Sequence, residues 1–201
     1  MNMIISAVSQ GLLWSILALG LFVSFRILDL ADMTTEGAFP LGAAVAVQAI
    51  TLGANPYIAI IFAIIAGSSA GLITGFLITK LQIPSLLAGI LTMTGLYSIN
   101  LRVMGRANIS LLGKNTIFTV FENMNLPRHF DTITLGLLVV VMIIGLYVIF
   151  FKTEFGQAVI ATGDNEAMAR SLGISTNTMK IVGLMISNGI VALAGSIIAQ
   201  D

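Results

Sequence analysis

Long apolar runs separated by short polar stretches make up most of this chain, and their lengths predict helices that cross a membrane. Six runs are visible, at residues 4–25, 38–52, 58–78, 83–99, 133–151 and 181–199. An α-helix needs roughly 20 apolar residues to cross the hydrocarbon core of a bilayer. The pattern therefore predicts an all-α integral membrane protein with about six transmembrane helices. Residues 1–201 are expected to form a single transmembrane domain.

The longest polar interruption late in the chain is residues 155–175, FGQAVIATGDNEAMARSLGIS. Asp164 is a residue type that caps helix N-termini, because its side chain can accept a hydrogen bond from the first turn. Glu166 and Arg170 then carry the charges that favour the two ends of the helix dipole. Gly173 can adopt the left-handed conformation that ends a helix. The pattern predicts a short capped helix between the last two spans, within a loop at residues 152–180.

This short helix is predicted to be amphipathic, because Met168 and Leu172 are four residues apart and share one face. A loop of this kind is suited to being gripped by a protein outside the membrane. A helix lying on lipid headgroups is the alternative, although such helices usually carry more basic residues.

The second apolar run is short and contains Pro40, which predicts an irregular start and a helix that lines a cavity. The stretch before it carries Arg26, Asp29, Asp32 and Glu36, for which a solvated turn is the simplest interpretation. Polar groups on an interrupted span are candidate contacts for a solute. We therefore expect a solute pathway that includes Thr34, Thr35, Glu36, Thr92 and Thr94. Each hydroxyl has a structural alternative, a hydrogen bond to its own helix backbone.

Small residues recur at four-residue spacing in the third run, at Gly67, Gly71 and Gly75. Small residues on one face let two helices approach closely within a membrane. This stripe predicts helix packing and carries no site.

Composition supports a membrane protein and excludes several kinds of chemistry. The chain is 57% hydrophobic and 9% charged, whereas soluble domains are about 25% charged. A net charge of zero argues against nucleic acid as a partner. No cysteine is present and there is one histidine, so we expect no metal site. No nucleophile–base arrangement is apparent, which indicates that the chain is not an enzyme. No phosphate-binding GxxxxGK[ST] motif occurs, so any ATP would be hydrolysed elsewhere.

Charge gives little information on orientation. With the 152–180 loop in the cytoplasm, single crossings place Arg26, Lys80, Lys152, Arg170 and Lys180 inside, and Arg102, Arg106, Lys114 and Arg128 outside. Five against four is a weak bias. The charged residues also cluster near the ends of the runs and not in their middle. A self-contained channel or secondary transporter, the alternative function, would favour a charge near mid-membrane.

Three stretches carry a family resemblance: FGQAVIATGDNEAMARSLGIST, VSFRILDLADMTTEGAFPLGAAVAV and LQIPSLLAGILTMTGLYSINLRVMGR. Together they resemble the permease subunits of bacterial ABC importers, in the branched-chain amino acid and ribose permease superfamily. The second stretch is most similar to a tryptophan/tyrosine-type subgroup, paired with lipoprotein receptors suspected to bind aromatic amino acids or related small solutes.

The resemblance implies a type II ABC importer-like permease in the bacterial plasma membrane, with no cofactor of its own. ATP would be hydrolysed by ATP-binding cassette subunits that grip a cytoplasmic coupling helix. The other expected partners are a second permease subunit, in a homodimer, an extracytoplasmic substrate-binding protein and membrane lipid. The coupling residues that the resemblance implies are Gly156, Ala161, Gly163, Asp164, Asn165, Ala167, Met168, Ala169, Leu172 and Gly173. Members of the family are longer, which implies a chain truncated at its C-terminus.

Overall fold

The computed structural model describes residues 2–105, 109, 111, 114, 116–119 and 130–201, and the regular structure in these residues is helical. The helices are α1 (Asn2–Phe22), α2 (Thr34–Thr51), α3 (Pro56–Thr79), α4 (Ser85–Met104), α5 (Phe130–Lys152), α6 (Glu154–Asp164), α7 (Glu166–Ser171) and α8 (Thr176–Ile198). A π-helical turn, Val23–Ile27, prolongs α1. Arg106 and Arg128 lie outside the described residues.

Five helices in the described ranges are long and apolar enough to cross a membrane: Ile4–Ile27, Pro56–Thr79, Ser85–Met104, Thr132–Lys152 and Thr176–Ile198. The remaining long helix, α2, has 18 residues and packs against α3, α4 and α8. Its 18 residues include Glu36, Pro40 and Gln48, which lower its mean hydropathy. The predicted all-helical membrane fold is confirmed, and the count of about six crossings stays a prediction.

The start of α2 differs from the sequence-based prediction. The helix begins at Thr34, before the predicted position 38, and continues through Pro40 without a break. Irregular backbone lies earlier instead, at residues 28–33, where Asp29 has a positive φ of 53°. Proline removes one hydrogen bond, the one to the carbonyl four residues before it. That carbonyl belongs to Glu36, which is on the exposed side of α2 together with Pro40, so the helix tolerates the loss.

Helix α8 is the centre of the bundle. It contacts α1, α2 and α3, and 67% of its most apolar stretch is buried, against 22–33% for the other four candidate spans. The predicted glycine stripe of α3 faces it: a Cβ at Gly71 would lie 2.7 Å from the Leu184 carbonyl carbon and 2.9 Å from the Met185 Cα. The packing role predicted for the stripe is therefore confirmed.

Apolar side chains fill the rest of the interior in two main clusters. Leu13 and Ile16, in the C-terminal half of α1, pack with Ile143 of α5 and Ile197 of α8. At the end of the bundle where α1 leads into residues 28–33, α6 is attached through Val159, which packs with Leu28, Met179 and Leu184. These contacts hold the segment that precedes α7 against the end of the bundle.

The close contact at Gly71 predicts a clear effect of a single methyl group. Gly71→Ala should lower the stability by about 1–3 kcal/mol, because the added Cβ overpacks a backbone contact. Gly145→Ala in α5 is the matched control, since a Cβ there meets no atom within 4 Å. The control should be neutral or stabilising by up to about 1 kcal/mol, because alanine is the better helix former. The stability of both variants is measured by thermal unfolding in detergent. Equal changes in stability would contradict the packing interpretation.

Candidate functional site

A six-residue helix, α7, connects α6 to the central helix α8. Asn165 separates α6 from α7 with an extended backbone (φ −156°, ψ 97°), and its side chain accepts a hydrogen bond from Met168 N at 2.9 Å. The predicted helix is confirmed, but the predicted cap is wrong. Asp164 is the last residue of α6, and Asn165 caps α7 because the chain turns only at that residue.

The end of α7 follows the prediction. Gly173 has a φ of +85°, the left-handed conformation expected after a helix. Its N–H donates to the Arg170 carbonyl at 3.1 Å, and Ile174 N donates to the Ala169 carbonyl at 3.1 Å. These bonds satisfy carbonyls that the helix end would otherwise leave free. The short helix is therefore closed at both ends by local hydrogen bonds.

Apolar side chains on the outer face of α7 are exposed. The exposed fractions of Met168 and Leu172 are 61% and 68%. Ala167 is also exposed, whereas Ala169 is only 1% exposed and packs inward. Of the two alanines of α7 among the coupling residues that the resemblance implies, only Ala167 lies on the outer surface.

The predicted coupling residues in α6 have mainly packing positions. A Cβ at Gly163 would overlap the Ile27 carbonyl, and one at Gly156 would overlap the Phe150 carbonyl. Gly156 is buried and Ala161 is half-buried. These residues hold α6 against the end of α1 and the α5–α6 turn, and so fix the position from which α7 projects.

The side chain of Glu166 connects α7 to α8. The Glu166 carboxylate lies 2.7 Å from Lys180 Nζ and 3.0 Å from Arg170 Nη2. Thr176 Oγ1 donates to the same carboxylate at 3.3 Å. The hydrogen bond from Lys180, foremost among these contacts, holds the pKa of Glu166 below its usual value of 4.5. Glu166 is therefore ionised at neutral pH, and its charge is shared between its own helix and α8.

A second polar group lies inside the bundle. Thr34 Oγ1 of α2 is 2.7 Å from Thr74 Oγ1 of α3, and Thr74 donates to Thr92 Oγ1 of α4 at 2.9 Å. Asp32 Oδ1 accepts from Thr34 N at 2.9 Å, and Asp32 Oδ2 accepts from Asn188 Nδ2 of α8 at 2.7 Å. We call Asp32, Thr34, Thr74, Thr92 and Asn188 the polar cluster. It joins four helices around the start of α2.

The polar cluster lies deep in the bundle and is closed to solvent. Asp32 is 1% exposed, and Thr34, Thr74 and Asn188 are 0% exposed. Asn188 is twelve residues into α8, about 18 Å along its axis at 1.5 Å per residue. That depth is about half of a bilayer core or more. The solvated turn that the sequence suggested for Asp32 is therefore wrong, because the segment at residues 28–33 leads this carboxylate inward to Asn188.

The predicted pathway residues do not form one surface. Thr34, Thr35 and Thr92 are buried, whereas Glu36 and Thr94 are exposed. Thr94 donates to the carbonyls of its own helix at Ile90 and Leu91, the structural alternative for a membrane hydroxyl. Glu36 has no ion-pair or side-chain hydrogen-bond partner among the described residues, so it presents a free carboxylate on α2.

Reasoning from the sequence missed Thr74, Asn188 and Lys180. Asn188 is the clearest signal in retrospect, because it is an amide in the middle of an apolar run, where a polar side chain needs a partner. Thr74 had no distinguishing feature, since isolated threonines commonly bond to their own helix. Lys180 was visible as the residue that opens the last run, but its partner could only be known from the turn at Gly173.

Comparisons with known proteins agree with this architecture. A family model described as "branched-chain amino acid transport system / permease component" matches residues 3–201. A "tyrosine transport system permease protein" of Clostridioides difficile is 42% identical over the whole chain, which covers 65% of that protein. An "uncharacterized protein RP368" of Rickettsia prowazekii is 38% identical, with 69% of that protein covered.

A more distant relative is the "autoinducer 2 import system permease protein LsrC" of Yersinia enterocolitica, 31% identical over 77% of the chain and 41% of that protein. No solved structure matches. The described helices and these similarities define a multi-pass permease of the plasma membrane, which is not an enzyme. The chain belongs to the family of branched-chain amino acid transport system permease components. It spans about two thirds of the length of the first two relatives.

The lowered pKa of Glu166 predicts how α7 responds to acid. A carboxyl whose pKa is lowered by folding contributes stability above its ordinary pKa, and that contribution is lost as the pH falls through the lowered value. A spin label introduced by Ala167→Cys, in a chain with no other cysteine, should keep the same mobility down to pH 4.5 and become more mobile only below it.

In the chain that carries the same spin label, Lys180→Met should raise the pH at which the label becomes more mobile. The reason is that the hydrogen bond from Lys180 is the largest cause of the lowered pKa of Glu166. Arg170→Met is the matched control and should change that pH less, because the exposed Arg170 contributes least to the lowered pKa of Glu166. A label that becomes mobile above pH 4.5 in the unsubstituted chain would contradict the role of the ion pair.

Proposed function

We propose that this chain is a permease subunit of an ATP-driven importer. It forms part of the solute pathway and couples to a separate ATPase subunit through α7. The observation that carries the proposal is the exposed apolar face of α7, Met168 and Leu172, on a helix closed at both ends and joined to α8. The chain itself binds no nucleotide in this proposal, because it carries no phosphate-binding motif.

The surface of α7 supports docking of a protein better than contact with lipid. Large apolar side chains exposed next to charged ones are typical of protein–protein contacts. Around Met168 and Leu172, α7 exposes Asn165 and Arg170, and its one buried side chain is Ala169. An ATPase groove that takes the two apolar side chains would bury them from water. The side chains of Glu166 and Lys180 would hold the helix in position from behind.

The free carboxylate of Glu36 supports a pathway along α2. A charged side chain in contact with lipid at membrane depth is costly, and such residues face a water-filled cavity or a protein partner. Pro40 lies one turn further along the same exposed side and leaves the Glu36 carbonyl without its helical donor. Trp14 of α1 stacks on Phe39 beside this side of α2, with ring centroids 5.7 Å apart. In the proposal this exposed side of α2, including Glu36, lines the solute path.

The relatives support a small polar solute and further subunits. One relative is named for tyrosine transport and another for import of autoinducer 2. We propose an amino acid or a similar small polar molecule as the solute, delivered by an extracytoplasmic substrate-binding protein. A second copy of the permease would complete the path, and two ATPase subunits would grip one α7 each.

A secondary transporter is the second candidate, and one observation favours it. Asp32 is a carboxylate at membrane depth, the feature that ion-coupled transporters use. However, Asp32 is 1% exposed and both of its oxygens accept hydrogen bonds, from Thr34 N and Asn188 Nδ2. The carboxylate is thus engaged in holding helices together, and the importer remains the proposal.

Docking through α7 is tested by a charge on its exposed face. Met168→Glu should weaken co-purification with the ATPase by roughly tenfold or more, the scale of losing a central apolar contact. The matched control is Leu81→Glu, which places the same charge at a 58% exposed leucine next to α3. The amount of ATPase that co-purifies with each variant is measured by pull-down from native membranes in mild detergent, with the chain expressed from its own gene. An ATPase that binds Met168→Glu as well as the unsubstituted chain would contradict docking at this face.

The pathway is tested by the reactivity of introduced thiols. Glu36→Cys should react with a membrane-impermeant methanethiosulfonate reagent, because the proposal places this position next to water. Val141→Cys is the control, a 60% exposed position on the apolar surface of α5, which we expect to face lipid and to stay unreactive. Equal protection of both thiols would contradict a water-filled path along α2.

A further inference from the structure

Two polar contacts of α8 connect it to the two elements on which the proposed function depends. We propose that α8 transmits movement from α7 to the first turn of α2, through Glu166–Lys180 at one end and Asp32–Asn188 inside the bundle. This inference rests on the proposed function, because it assumes that α7 meets the ATPase. It adds the residues that relay the signal, which are positioning residues and touch neither nucleotide nor solute.

The first contact attaches α7 to α8. Apart from the buried Ala169, the side chains of α7 contact α8 through Glu166, which binds Lys180 and Thr176, and through Arg170, whose Nη2 donates to Thr176 Oγ1 at 3.3 Å. Lys180 lies in the second turn of α8, and its side chain is only 16% exposed. A partly buried ion pair with a 2.7 Å distance is held more firmly than the exposed pair to Arg170, whose side chain is 65% exposed. A push on α7 is therefore passed to α8 through Lys180.

The second contact attaches α8 to the start of α2. Asn188 donates to Asp32 Oδ2, while Asp32 Oδ1 accepts from Thr34 N in the first turn of α2. Breaking this hydrogen bond would leave a buried carboxylate oxygen without its donor, which is costly, so we expect Asn188 and Asp32 to move together. Lys180 and Asn188 are eight residues apart, about 12 Å along a continuous helix. The regular helix between them is well suited to act as a stiff connection.

The first turn of α2 lies between two places where regular helical hydrogen bonding is interrupted. Irregular backbone at residues 28–33 precedes it, and Pro40, a residue at which helices bend, follows it. Beyond Pro40, α2 is fixed, because a Cβ at Gly42 would overlap the Ala192 carbonyl of α8. Glu36 lies within the movable turn. A shift of α8 would thus carry Asp32 with it, and with Asp32 the turn that holds Glu36.

Unused hydrogen-bond capacity occurs where α2 is held. Asn188 Oδ1 and Asn100 Oδ1 are buried and accept no hydrogen bond in the described part of the chain. Both amides hold the same part of α2 through their other atom, since Asn100 Nδ2 donates to the Gly37 carbonyl at 3.3 Å. An amide with a free acceptor can exchange partners when the helix shifts. The two free acceptors flank the turn that the inference requires to move.

The test uses a thiol on the movable turn, in a chain without native cysteine. The reporter is Glu36→Cys, in the membrane complex with its ATPase and with the chain expressed from its own gene. Its modification rate by a methanethiosulfonate reagent is measured without nucleotide and with a non-hydrolysable ATP analogue. A coupling of ordinary strength should change the rate by about fivefold or more.

Each contact is then broken and restored. Lys180→Glu and Asn188→Asp both place like charges together, and each should reduce the nucleotide effect to none. The exchanges Glu166→Lys/Lys180→Glu and Asp32→Asn/Asn188→Asp recreate the pairs in reverse and should restore it. The combination of Lys180→Glu with Asn188→Asp should be no worse than either alone, because both contacts lie on one route. Lys80→Glu, at an exposed lysine after α3, is the control and should leave the effect unchanged.

The outcomes separate this inference from the proposed function. Absence of any ATPase from the unsubstituted preparation overturns the proposed function, and the relay with it. If the ATPase binds but the nucleotide effect persists in Lys180→Glu or Asn188→Asp, the relay alone is overturned. Should Asn188→Asp fail to reach the membrane, the exchange Asp32→Asn/Asn188→Asp decides: restored response supports the relay, and loss of response overturns it.

Discussion

Backbone-to-backbone contact between α8 and its neighbours is the constraint on which the rest of this structure depends. Lipid tails are as apolar as leucine, so helices in a membrane gain little from hiding apolar side chains from lipid. Close packing must supply the stability instead. Glycines of α2 and α3, such as Gly42 and Gly71, leave no room for a side chain at the contact with α8. These contacts set the depth and rotation of α8 in the structure.

That fixed position determines which polar groups can meet. Asn188 reaches Asp32 only because α8 lies close enough to α2 for an amide to span the gap at 2.7 Å. Inside a membrane an unpaired carboxylate is costly, and a completed polar network makes one arrangement of helices preferable to others. The glycine contacts and the polar cluster thus act together. The glycine contacts set the distance between α8 and its neighbours, and the polar cluster sets the position of α2 along α8.

Much of this architecture follows from the sequence, and what did not follow depends on long-range contacts. The all-helical membrane fold, the glycine stripe at Gly67–Gly75 and the short helix ended by Gly173 all follow from local sequence patterns and were confirmed. The cap was assigned one residue early, to Asp164, because both Asp and Asn cap helices and only the backbone decides between them. The burial of Asp32 was missed, since its partner Asn188 is 156 residues away. A contact between residues so far apart in the chain produces no periodic pattern in the sequence from which it could be predicted.

The central position of α8 has a consequence for the order in which the chain folds. Chains are synthesised from the N-terminus, and early segments wait for the partners that complete their packing. Helices α1, α2 and α3 all contact α8, which is the last of the described helices to leave the ribosome. Until then the glycine face of α3 and the Asp32 carboxylate have no partner from α8. We expect the nascent chain to stay a loose, protease-sensitive set of inserted helices that closes only when α8 arrives.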